Sequence, residues 1–142
     1  NRGKNGAHRG IAHEIVINPD GLNHPIYRDK DKIFNTPAFN YDEVVTLPNN
    51  AILLSSNKVN NVMALNFDTE FSKIWGIQYH PEITYNKMIT LIKFRRERLL
   101  ENKSFSDEKD LESHISMIEN ENKITKKESR MRELKNWLDL IA

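Results

Sequence analysis

The sequence predicts an α/β protein, a strand-rich body followed by a helical tail, and three observations carry that prediction. All five Gly (3, 6, 10, 21, 76) and all five Pro (19, 25, 37, 48, 81) of the 142-residue chain precede residue 82, so strong turn-formers punctuate only its first part. Charge then thickens, from 17 Asp, Glu, Lys and Arg in the first 83 residues to 24 in the last 59. The apolar pattern changes at the same place, from short runs between turns to helical spacing.

Residues 11–17 (IAHEIVI) read as a strand closed by the turn signal Asn18-Pro19-Asp20-Gly21. Residues 33–47 read as extended but irregular, with Pro37 inside and Leu47-Pro48-Asn49-Asn50 ending the stretch. Residues 51–57 and 62–67 are short apolar runs that fit buried strands. Asp68-Thr69-Glu70 reads as a turn, and residues 74–80 as a last strand stopped by Pro81. Short strands joined by turns predict an antiparallel or mixed sheet in this stretch.

Three helices are expected next. Over 84–102, Tyr85, Met88, Ile89, Ile92 and Leu99 recur at helical spacing, and Lys93, Arg95, Arg96 and Arg98 gather where the helix dipole favours cations. Ser106 is the expected N-cap of a second helix with Leu111, Ile115 and Ile118 on one stripe and acids Asp107, Glu108 and Asp110 in its first turn. Thr125 is the expected cap of a third, whose apolar face is Met131, Leu134, Leu138 and Ile141, with Trp137 beside it.

Composition narrows the function classes. A net charge of +1 and a pI of about 8.1 argue against a nucleic-acid binder held by bulk charge. No apolar run approaches the roughly 18 residues that cross a bilayer. The chain opens on polar residues without a secretory pattern, so a cytoplasmic protein is expected. With no Cys there is no disulfide, no thiolate metal site and no Cys nucleophile. His8, His13, His24 and His114 are dispersed and meet no metal-ligand spacing, so no metal is expected. No cofactor is expected either: Gly3, Gly6 and Gly10 lack the Gly-Lys-Ser/Thr ending of a phosphate loop and precede a strand. Phe94-Arg95-Arg96-Glu97-Arg98 reads as a solvated helix end.

The densest chemistry is Gln78-Tyr79-His80-Pro81-Glu82. His and Glu two apart on an extended segment point to the same side, so the carboxylate reaches one imidazole nitrogen. The other nitrogen is then free to act as a general base, and the pair is the base-and-orienter half of a nucleophilic triad. A strand-end His beside a solvated Glu is the plain alternative.

Gly76-Ile77-Gln78-Tyr79-His80-Pro81-Glu82 resembles the G-[VI]-Q-[FY]-H-P-E signature of class I glutamine amidotransferases. Upstream, His24-Pro25-Ile26-Tyr27 is similar to the "HPLF" segment of the GMP-synthase-like branch. The run from Phe34 to Val44 is similar to its "F-x-x-P-A-x-H-x-D-E-V" stretch, and Leu47-Pro48 with Leu54-Ser55-Ser56-Asn57 to "LP…LASN". Residues 130–138 (RMRELKNWL) resemble the C-terminal "R-x-x-E-[IL]-x-N-W-L" of some members, so the likeness runs in order along nearly the whole chain.

The resemblance implies a flavodoxin-like α/β domain of which this chain holds the later strands and the C-terminal helices. It implies residues 1–102 as the C-terminal part of the amidotransferase domain and 103–142 as a helical extension packed on it. It implies that glutamine is hydrolysed to glutamate and ammonia by a Cys-His-Glu triad, with His80 the base and Glu82 its orienter. Phe39, Asn40 and Tyr41, with Asn40 where many relatives have His, would help wall the glutamine pocket; from residue type alone, Phe39 and Tyr41 read as packing side chains. The chain departs from the family in having no Cys. Ser55 and Ser56 sit in an expected strand without elbow glycines and do not replace it.

The expected reading is therefore the C-terminal part of a glutamine-hydrolysing enzyme, inactive alone, with glutamine as substrate and an ammonia-accepting synthetase or an N-terminal half as partner. Two alternatives stay open: a non-catalytic binding or assembly module on the same scaffold, and a hydrolase of γ-glutamyl amides. A chain missing the first strands of a parallel sheet is expected to expose apolar edges and to self-associate.

Overall fold

A computed structural model describes residues 3–142; Asn1 and Arg2, which open the expected first domain, lie outside the described residues. The order is β1 (His8–Arg9), β2 (Ala12–Ile17), α1 (Pro19–Leu22), a 3₁₀ turn (Pro25–Tyr27), β3 (Ile33–Thr36), β4 (Phe39–Asn40), β5 (Ile52–Ser56), β6 (Ala64–Asp68) and β7 (Lys73–Ile77). Helices α2 (Tyr85–Phe94), α3 (Arg96–Glu101), α4 (Glu108–Ile124), α5 (Lys127–Arg130) and α6 (Arg132–Ile141) complete the chain.

Five strands form one sheet in the order β3-β2-β5-β6-β7, and β1 pairs with β4 separately. Every pairing among these strands is antiparallel, within the antiparallel-or-mixed expectation. β2 does not alternate regularly. Its register shifts between Ala12 and Ile15, Glu14 takes φ of 47°, and the Glu14 N–H donates to Asn35 Oδ1 at 2.9 Å. This bulge turns both Ala12 and Ile15 inward. Gly10 (φ 95°) allows the bend between β1 and β2: a Cβ there would lie 2.9 Å from Ile118 and 3.0 Å from Ile92.

Two apolar cores result. One gathers Ile15, Ile17, Phe34, Leu54, Met63 and Tyr79 against the sheet. The other packs Tyr85, Ile89, Ile92, Leu111, Ile115 and Ile118 between α2 and α4, so the stripes expected of the first two helices are the buried ones.

The helices correct four expectations. The single helix over 84–102 is two, because Arg95 (φ −95°, ψ 11°) closes α2 before α3 begins. Asp107, not Ser106, caps α4: its Oδ1 accepts from the Asp110 N–H at 2.8 Å, while the Ser106 N–H and hydroxyl donate to Asp110 Oδ2. The third helix expected from Thr125 is also two: Thr125 ends α4, its N–H donating to Glu121 O at 3.0 Å, and Met131 (φ −93°, ψ 10°) parts α5 from α6.

The fourth correction is the largest. The later part of the expected apolar face lies outward, with Leu138 54% and Ile141 60% exposed; Met131 and Leu134 are half-buried, while Arg130, Glu133 and Asn136 are buried. The polar stripe faces inward because it carries the docking hydrogen bonds. The Asn136 amide, for example, donates to the Ile26 and Arg28 carbonyls, both at 2.9 Å. Among the described residues no helix is long and apolar enough to cross a membrane.

Candidate active site

The site begins where the ladder ends. Gln78 still donates to Met63 O at 2.9 Å, but His80 leaves the sheet and its N–H donates to Pro37 O at 2.8 Å. The Ile83 N–H closes a turn onto His80 O at 3.1 Å, and Thr84 then caps α2 by accepting from the Lys87 N–H. The strand expected over 74–80 ends at Ile77, and a turn rather than an extended strand carries the pair: Tyr79 and Pro81 are buried, while His80 and Glu82 project outward.

His80 Nδ1 and Glu82 Oε1 are 2.8 Å apart, so the structure brings the two expected catalytic residues together. A carboxylate accepts only, so Nδ1 carries the proton and Nε2 presents its lone pair. Both side chains are open, at 43% and 51% exposure. Neither lines the groove of about 570 Å³ between β3 and the α4–α5 junction.

Phe39, Asn40 and Tyr41 are placed on β4 and just beyond it. The Asn40 carbonyl oxygen accepts from His8 Nδ1 at 2.7 Å, and its amide donates to Asp42 O and Asn60 Oδ1. His8 Nε2 accepts from the Asn57 amide at 3.0 Å, which fixes a neutral ring; burial, outweighing these hydrogen bonds, lowers its pKa. Phe39 lies under the Arg95 guanidinium and packs edge-on with Tyr41, whose hydroxyl pairs with Ser104. These contacts join the three residues to the β1–β4 ribbon and the helices. Pro37, in the link between β3 and β4 two residues before Phe39, receives the His80 N–H. Ser55 is fully buried and its Oγ pairs with Tyr27 OH at 2.7 Å.

Sequence reasoning passed over the polar group beneath the site. Tyr79 OH donates to Glu133 Oε1 at 2.9 Å and meets Tyr27 OH at the same distance. Lys30 Nζ pairs with Glu133 at 3.0 Å, both side chains 2% exposed. Burial pushes the Lys30 pKa down against the pull of Glu133, and pushes both tyrosines up. Arg130 Nη1 donates to the Pro81 carbonyl and, at 3.1 Å, to the Ile83 carbonyl. The available signal was Arg130, Glu133 and Asn136 three apart, which puts them on one helical stripe. Among the described residues no three His, Cys, Asp or Glu side chains are placed to hold a metal ion.

No family model matches the chain. A curated Pseudomonas protein, gamma-glutamyl-L-1-hydroxyisopropylamide hydrolase, is 27% identical over 148 residues, covering 93% of this chain and 50% of its own length. The crystal structure of a glutamine amidotransferase from Thermotoga maritima superposes with a TM-score of 0.66 at 20% identity, over 96% of this chain and 53% of that one. The structure of SMU.1228c gives 0.60 at 13% identity, over 99% and 53%. The chain spans about half the length of each of these proteins. A five-stranded antiparallel sheet and C-terminal helices that superpose in this way give the chain a class I glutamine amidotransferase-like fold.

Proposed function

We propose that the chain is the C-terminal part of a glutamine-amidotransferase-type hydrolase that cleaves the side-chain amide of glutamine or of a γ-glutamyl amide. The observation that carries this reading is the His80–Glu82 pair at 2.8 Å, held just beyond the last strand of that fold. Residues 1–102 form the end of the catalytic domain and 103–142 its helical extension. The name of the curated relative favours a γ-glutamyl amide as substrate. The segments similar to the GMP-synthase-like branch favour a second reading, in which the released ammonia passes to a synthetase.

In this reading a Cys from an N-terminal half supplies the nucleophile. His80 Nε2 takes the thiol proton as sulfur attacks the amide carbon, then gives it to the departing amine. Water, deprotonated by the same nitrogen, cleaves the thioester and restores the thiol. Glu82 holds the ring in the tautomer this requires and stabilises the imidazolium. Two features of the chain support a missing half. Among the described residues β7 is an edge strand, its second side unpaired, and beside it Ile26, Trp75, Ile77, Leu134 and Trp137, with Glu133, line an open, mostly apolar groove of about 300 Å³. Phe39, Asn40 and Tyr41 would wall the pocket from the Pro37 side.

The first test is the DNA upstream of the Asn1 codon. An in-frame Gly-x-Cys-x-Gly elbow supports the reading; a stop codon followed by a start near Asn1 overturns it. In the full protein, His80→Ala should abolish glutamate release, and Glu82→Gln should lower kcat by about 10²–10⁴-fold. Full turnover in His80→Ala would exclude His80 as the base.

A further inference from the structure

We infer that Arg130 is a positioning residue for the His80–Glu82 pair, acting through the backbone on either side of Glu82. The inference concerns the same site and rests on His80 being the working base.

The segment from Tyr79 to Ile83 is held at four points, three of them from the α5–α6 tail. Tyr79 is fixed through its hydroxyl to Glu133, and His80 through its N–H to Pro37 O. The Pro81 and Ile83 carbonyls both receive Arg130 Nη1. The proline ring already fixes φ at Pro81, so a donor on its carbonyl also fixes the peptide plane leading into Glu82. The second donor fixes the plane leading away from Ile83. Between these planes Glu82 has little freedom except at its own side chain, so its carboxylate is aimed at His80 Nδ1.

Arg130 is suited to this by burial and shape. It is 8% exposed, and the two hydrogens of one nitrogen of a rigid, planar guanidinium reach two carbonyls two residues apart. His80 and Glu82 themselves are too exposed for their 2.8 Å contact to hold the geometry alone. The rigidity comes from the buried side of the segment.

The test uses the chain as it exists and reads the two ring nitrogens of His80 by long-range ¹H–¹⁵N spectroscopy, assigned with His80→Gln. At about pH 9, where free imidazole is neutral, the parent should show one dominant tautomer with the proton on Nδ1. Arg130→Gln should shrink the separation between the two nitrogen shifts by roughly half or more, as Glu82→Ala does, because the tautomers then interconvert. Tyr79→Phe loosens the same segment without touching the carbonyls, and should lower Tm while leaving the His80 shifts in place. Parent-like shifts in Arg130→Gln would overturn the assignment, as would equal loss of the tautomer in Tyr79→Phe. Should Arg130→Gln fail to fold, Arg130→Lys keeps the charge without the fork, and the same two outcomes apply to it. The two failures are distinguishable: these shifts test the role of Arg130, whereas the hydrolase reading fails if the upstream DNA encodes no nucleophile.

Discussion

Two carboxylate contacts of similar length, one to an imidazole N–H and one to an ammonium, lie in opposite surroundings. Glu82 meets His80 at 2.8 Å with half of each side chain in water. Glu133 meets Lys30 at 3.0 Å with both side chains almost sealed, and adds the Tyr79 hydroxyl and, through it, Tyr27 and Ser55. The first pair is screened and contributes little to stability, which leaves its second nitrogen accessible to a reacting group. The second is enclosed in low dielectric, where each partner makes the other tolerable and removal of either strands a charge. The proposed reaction uses the open pair, and the fold needs the closed one. The tail connects them, since Arg130 ends α5 and Glu133 lies in the first turn of α6, three residues on.

The contrast is broken most directly by Glu133→Ala. This leaves the Lys30 ammonium buried and unpaired and should destabilise the chain by about 3–5 kcal/mol in urea titration. Lys30→Met combined with Glu133→Leu should recover most of that loss; if it does not, the pair does more than neutralise itself. Tyr79→Phe should cost about 1–3 kcal/mol, because Glu133 and Tyr27 both lose a buried partner.

Acid should work on a third group of contacts. Burial lowers the pKa of His8, His24 and His114, so the unfolded chain binds protons more readily than the folded one. The stability they contribute is complete above their unfolded pKa of about 6.5 and is lost as pH falls from there through the folded values. Tm should therefore drop between about pH 7 and 5, and His8→Gln should flatten the slope. A Tm unchanged over that range would contradict the neutral, hydrogen-bonded His8.

The smallest stability effects belong to the outer surfaces. Glu82→Ala should change folding free energy by less than about 1 kcal/mol while still releasing the His80 tautomer. Leu138→Lys with Ile141→Lys should move Tm within the range of ordinary surface changes, about 0.5 kcal/mol each, yet reduce self-association in sedimentation runs. Self-association unchanged by these substitutions would place the sticky surface elsewhere, the open β7 edge being next.

The sequence determined the order and kind of most elements, and it determined the candidate pair. Short apolar runs between Gly and Pro turns specify β2, β5 and β6 to within a residue or two, while β7 ends at Ile77, three residues before the expected 80; the two-residue spacing singles out Glu82 as the partner of His80. Such features depend on neighbours along the backbone and are therefore readable from them. Tertiary structure decided which face of the last helix is buried. Periodicity shows that residues 131–141 have an apolar and a polar stripe, and transfer free energy alone turns the apolar one inward. The body instead offers Lys30, Tyr79 and the carbonyls of Ile26, Arg28, Pro81 and Ile83, about 50 to 110 residues away in sequence. Unpaired polar groups at that contact would cost more than leaving Leu138 and Ile141 in water, so the polar stripe turns in. No local pattern contains those partners, because the fold alone brings them together.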